Sequence, residues 1–145
     1  MTPHFSLEEF TASDTAARLG IDNRLPDELR ENALKTLEMM ERIRFHIDAP
    51  ITITSGYRCK ALNGVIGSKP GSDHTLALAV DFKAPKAGTP FQIAASLAPV
   101  IKIIGIGQLI LEFGTWVHVS TRTPDKVINR IITIDKDGTR AGIWQ

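Results

Sequence analysis

Cysteine is nearly missing from this chain of 145 residues: Cys59 stands alone. No intramolecular disulfide can form, and no zinc site built on paired cysteines is available. Charge of one sign is missing too. The 17 Lys and Arg residues are balanced by 16 Asp and Glu, for a formal net charge of +1, and no basic run is present, so the electrostatic footprint of a nucleic-acid binder is not there. Met1-Thr2-Pro3-His4-Phe5-Ser6-Leu7-Glu8-Glu9 has neither a basic start nor an apolar stretch behind it, so no Sec-type signal peptide is expected. The longest apolar segment, 93–111, carries Lys102 near its middle and is split by Gly105 and Gly107. Placing that lysine in lipid would cost about 3 kcal/mol, so the segment reads as a buried helix running into a buried strand, with no membrane insertion. With no internal repeat and no Gly/Ser linker, a single domain over residues 1–145 is expected.

The remaining composition, 43% hydrophobic and 23% charged, is that of a globular chain able to bury a core. Ser6 followed by Glu9 has the spacing of a capping box and opens a short helix. Asp14 is placed to cap another over 15–19, with Gly20 just beyond its end. The strongest helix signal runs from Pro26 to Ile47. Pro26 suits the first helical position, and Leu29, Ala33, Leu37, Met40, Ile43 and Ile47 recur at steps of three and four as one apolar stripe. Strands are expected over 51–54, 77–82, 108–113, 116–120 and 127–134, with short helices near 59–65 and after Thr89-Pro90. Asp135-Lys136-Asp137-Gly138 starts like a calcium loop but has no closing Glu, so it reads as a turn. Helices early, strands late and tight hairpins together predict an α+β fold with a largely antiparallel sheet.

Four polar side chains break this pattern. Asp81 interrupts the apolar run Ala77-Leu78-Ala79-Val80-Asp81-Phe82, and His74 precedes it at the end of a Gly/Pro/Ser loop. Glu112 and His118 interrupt two further strands. A carboxylate buried in such a run is costly unless a cation or a metal compensates it. If Gly114-Thr115-Trp116 forms a three-residue hairpin loop, Glu112 faces His118 directly across the hairpin. Two His, one Asp and a nearby Glu match the needs of a catalytic zinc site, with three protein ligands, an open position and a base. His4 and His46, near a terminus and a helix end, read as solvated or dipole-stabilised residues, and Cys59 as a small buried one.

Ser55-Gly56-Tyr57-Arg58, then Asn63, then Ser72-Asp73-His74 through Asp81, and Glu112 through Trp116-Val117-His118-Val119-Ser120, together resemble the zinc D-Ala-D-Ala metallopeptidase family. More narrowly, the chain resembles the small, single-domain branch of that family found in phages and prophages. Phe5-Ser6-Leu7-Glu8-Glu9-Phe10 and Gly20-Ile21-Asp22-Asn23 add to the likeness. The resemblance implies His74, Asp81 and His118 as Zn2+ ligands and Glu112 as general base. It implies Arg58 as the group that polarises the scissile carbonyl, and Ser72 as a supporting residue. The implied fold is the one shared with lysostaphin-type peptidases and the zinc domain of hedgehog proteins. The family usually has Gly where this chain has Ala77. Some members place the base three residues before the last ligand, where Thr115 stands here, and others have a His where Trp116 stands.

The expectation is therefore a zinc-dependent peptidoglycan peptidase, a carboxypeptidase or endopeptidase acting on peptide bonds that involve D-amino acids. Its partners would be cell-wall stem peptides, not nucleic acid, and it would work as a monomer. A phage or prophage lysin of this kind would wait in the cytoplasm until release, or ride on a virion. The alternative is a non-catalytic zinc-binding wall-recognition or virion module.

Overall fold

The computed structural model describes residues 1–123 and 126–145. Ser6 accepts a hydrogen bond from the Glu9 amide and starts α1 (Leu7–Thr11), while Ser13 accepts from the Ala16 amide and starts α2 (Asp14–Leu19). The cap of α2 is thus Ser13, with Asp14 inside the first turn, and Gly20 closes the helix in the left-handed region. The long helix begins later than its sequence signal. Pro26 precedes a 3-10 turn, Asp27–Leu29, and α3 proper spans Arg30–Ile47. Its stripe behaves as the periodicity predicts: Ala33, Leu37, Met40 and Ile43 are fully buried, joined by Met39.

After α3 come β1 (Thr52–Ser55), α4 (Lys60–Ile66), a 3-10 turn at Asp73–Leu76 and β2 (Ala79–Lys83). Ala77 is not in the strand. It holds the left-handed conformation, φ 59°, that closes the 3-10 turn, which accounts for the glycine usual at this position. Helix α5 (Pro90–Leu97) opens on a complete Thr89/Gln92 capping box, and Pro99 lies in a 3-10 turn leading to α6 (Ile101–Ile104). Among the described residues no helix is long and apolar enough to cross a membrane.

Strands β3 (Gln108–Glu112), β4 (Trp116–Ser120), β5 (Arg130–Asp135) and β6 (Gly138–Ala141) complete an open six-stranded sheet in the order β1-β2-β4-β3-β5-β6. All neighbours are antiparallel except β3 and β5, which run parallel. The predicted strand over 127–134 starts only at Arg130, and Asp135-Lys136-Asp137-Gly138 is a tight turn into β6, a strand the sequence pattern did not signal. One sheet face buries Val80, Phe82, Leu109, Leu111, Val117 and Val119 in the core shared with α3 and α5. The other face of β2, β4 and β3 carries the polar residues. The architecture is α+β, as expected.

Candidate metal centre and active-site cleft

Strand alternation puts Asp81, Glu112 and His118 on the face away from the core. Registration then decides which of them meet. Asp81 is the direct cross-strand partner of His118, and their side chains touch, His118 Nδ1 to Asp81 Oδ1 at 2.8 Å. Glu112 pairs instead with Trp116, because the hairpin loop is Phe113-Gly114-Thr115. The expected direct pairing of Glu112 with His118 is therefore corrected by two residues. A shift of two keeps the same face, so Glu112 is still a diagonal neighbour, with Oε1 3.9 Å from His118 Nδ1.

His74 reaches the same point from the 3-10 turn. Its Nδ1 lies 2.6 Å from the Gly56 carbonyl. A carbonyl only accepts, so Nδ1 carries the proton and the Nε2 lone pair points into the site, 3.3 Å from Asp81 Oδ1. Ser72 accepts from the His74 amide, and the His74 carbonyl accepts from the Arg58 amide. The turn is thus stitched to segment 56–58. That segment is itself fastened by Asn23, whose side-chain amide donates to the Thr11 and Tyr57 carbonyls and whose oxygen accepts from the Cys59 amide. Gly56 is required here for space: a Cβ would lie 2.2 Å from the Phe10 carbonyl oxygen.

Two imidazole nitrogens and a carboxylate oxygen within 4.8 Å of one another, all from buried residues, form a group that could hold a metal ion. The donor set fits zinc, which takes such ligands and leaves a position open in catalytic sites. Burial alone would raise the Asp81 carboxyl, but the two imidazoles outweigh it and hold it far below the usual carboxylate range. Burial lowers His74, with Asp81 opposing, whereas the Asp81 hydrogen bond overcomes burial at His118 and raises it. Glu112 is pushed above its ordinary value, first by burial and then by the charge of Asp81.

Arg58 is only 8% exposed and lines the same cleft of about 790 Å³. Its terminal nitrogens donate to Ser55 and Ser68 at 3.3 Å, while its buried Nε has no partner among the described residues. Burial lowers its pKa, against the pull of Asp81 and Glu112. The buried Trp116 indole N–H, also in the cleft, is unpartnered among the described residues as well.

The other candidates lie elsewhere. His4 pairs with Glu41 at 2.7 Å, His46 Nε2 donates to the Ser96 carbonyl, Cys59 is a free, half-buried thiol, and Asn63 is a buried residue of α4 bonded to the Lys69 carbonyl. Sequence reasoning missed the carbonyl of Gly56 and a second cluster behind the turn. There Asp73 accepts from Ser120 at 2.7 Å and from Lys126 at 2.6 Å, with Arg122 at 3.6 Å. The only signal for that cluster was Asp73 standing next to His74.

Buried histidines and a carboxylate at the open face of an α+β sheet are a donor set of the kind a metallohydrolase uses. A family model described as Peptidase M15 matches residues 3–120, and the chain belongs to that family of zinc metallopeptidases. No curated protein matches the chain.

Proposed function

We propose that this protein is a zinc-dependent peptidase that cuts a peptide bond involving a D-amino acid in bacterial cell-wall stems or cross-links, in the manner of a phage lysin. The observation that carries this reading is the convergence, around one metal-competent triad, of a carboxylate with a raised pKa and a buried guanidinium donor that has no partner among the described residues. His74, Asp81 and His118 would hold the ion. When bound, zinc supplies Lewis acidity, which acidifies water and polarises a carbonyl. Glu112 accepts the proton of the attacking water and returns it to the leaving amine, work that favours a carboxylate lifted toward neutral pH. Arg58 presents fixed donors where negative charge develops on the scissile oxygen. Gly56 and Ser72 keep His74 turned toward the site.

The test is incubation of the zinc-loaded protein with purified peptidoglycan and mass analysis of the released fragments. Loss of one terminal residue marks a carboxypeptidase, and severed cross-links or stems cut at an internal bond mark an endopeptidase. Release of no fragment from any wall preparation would overturn the reading in favour of a non-catalytic wall-binding module.

A further inference from the structure

The family match ends at Ser120, yet the chain after it returns to the cleft. Strand β5 lies parallel to β3, with Arg130 opposite Gln108, Ile132 opposite Ile110 and Ile134 opposite Glu112. Its even-numbered residues therefore share the face of Glu112 and His118, and Arg130, Ile132 and Ile134 all line the same cleft. Away from the triad, Glu112 and Arg58, the cleft is lined by four described cations, Lys69, Arg122, Lys126 and Arg130, and one described carboxylate, Asp73.

That carboxylate is already used. Asp73 is buried and bonded to Ser120 and Lys126, and Arg122 stands beside it. Lys69 and Arg130 are exposed, and no described carboxylate forms an ion pair with either. Among the described residues the surplus at this end of the cleft is positive, beside the low-dielectric wall of Ile110 and Ile132, which focuses the field.

The sheet sets the reach. Arg130 is in the row of Gln108 and Ser120, two residues along from the row of His118 and two strands across. With about 3.4 Å per residue and about 4.8 Å per strand, the two Cα atoms are about 12 Å apart. Side chains on one face rise together from the sheet, so the guanidinium stands about three to four residues of extended peptide from the triad.

Resting on the peptidase reading above, we infer that β5 carries a carboxylate subsite. A substrate peptide with a free carboxylate about three to four residues from the cleaved bond is held by Arg130, with Lys69 adding to the field, and the same peptide carrying a carboxamide there is a poorer substrate. The two substrates differ in charge and hardly in size, so the cationic wall acts on specificity and leaves the chemistry of the triad alone.

The experiment uses two synthetic stem peptides identical except for that carboxylate or carboxamide. A lost charge-assisted hydrogen bond corresponds to about a tenfold preference or more. The zinc-loaded protein is expected to show that preference in kcat/KM for the acid at low salt, shrinking as salt is raised. Arg130→Gln is expected to bring the ratio close to one, and Lys69→Gln to lower it less. Equal kcat/KM for the two peptides in the wild type, or an unchanged ratio in Arg130→Gln, would overturn the subsite. If the wild type cuts neither peptide, the peptidase reading on stems fails by itself. Calorimetric binding of both peptides to the zinc-loaded Glu112→Gln protein then decides the subsite: tighter binding of the acid supports it, and equal or absent binding overturns it.

Discussion

In the proposed reaction Glu112 is the base and Arg58 the carbonyl partner, and each has a substitution that separates that role from mere structure. Glu112→Gln keeps size and hydrogen-bonding shape but removes the basic oxygen. It should retain the metal and lower turnover by about 100- to 10,000-fold, read as kcat on a defined peptide alongside metal analysis. Full activity of the zinc-loaded variant would move the base elsewhere. Arg58→Lys keeps the charge but loses the planar fork that now spans Ser55 and Ser68. A fall in kcat of about 100-fold, with zinc content and Tm close to wild type, is the expected result. Equal turnover would remove Arg58 from the mechanism. Both residues stood out in the chain, Glu112 by interrupting an apolar strand and Arg58 by its place in a family motif. Among the described residues the buried Nε of Arg58 has no partner, and the pKa of Glu112 is raised first by burial and then by the charge of Asp81; no short window of sequence reports either.

At the scale of elements, α1 closely approaches the segment just after β1. The Tyr57 amide donates to the Phe10 carbonyl at 2.9 Å, and the missing side chain of Gly56 lets that approach occur. A methyl group there collides with backbone, which cannot swing aside as a side-chain tip would. Gly56→Ala should therefore cost about 1–3 kcal/mol in denaturant unfolding. It should also loosen zinc, because the Gly56 carbonyl orients His74, and loss of such a partner typically weakens metal affinity about 10- to 100-fold. A variant with wild-type stability and affinity would show that the packing at Phe10 is not needed. On its other side the turn is held by α3, where Asn32 donates to the Leu76 carbonyl and Thr36 to the Ala77 carbonyl. Thr36 lies fully buried among the apolar residues of α3, and its hydroxyl explains why a polar residue is tolerated there. The periodicity of α3 predicted the apolar stripe, but nothing in it showed what Asn32 and Thr36 would bind.

For the whole molecule, a metal bound at the triad would be a link between strands and turn. His74, Asp81 and His118 come from the 3-10 turn, β2 and β4, so an ion held by all three ties the loop to the sheet. Ligand that binds only the folded state stabilises it by mass action, by about 4 kcal/mol at a free concentration 1,000 times Kd. Stripping zinc with a chelator should lower Tm by about 10–15 °C without unfolding the protein at room temperature, and adding zinc back should restore it. A Tm that ignores both treatments would mean that the triad holds no metal in solution. The core sandwiched between the sheet and α3 and α5 does not depend on the ion, which is why the apo protein should stay folded.

Sequence by itself determined the donors and the face they occupy. Side chains alternate along a strand, so Asp81 had to point opposite Val80 and Phe82, and His118 opposite Val117 and Val119, whatever the neighbouring strands did. The apolar stripe of α3 was equally local and equally legible, whereas the cap of α2 fell one residue earlier, at Ser13, and the loop at Gly114 began one residue earlier, at Phe113. Tertiary structure decided who meets whom. A hairpin loop of Phe113-Gly114-Thr115 moved His118 from Glu112 to Ile110, and the return of β2 gave it Asp81 instead. The parallel docking of β5 on β3 brought Arg130 to the cleft from beyond the family match. Faces follow from the geometry of one strand, but register and strand order depend on pairings between distant segments, and those are fixed only when the chain closes on itself.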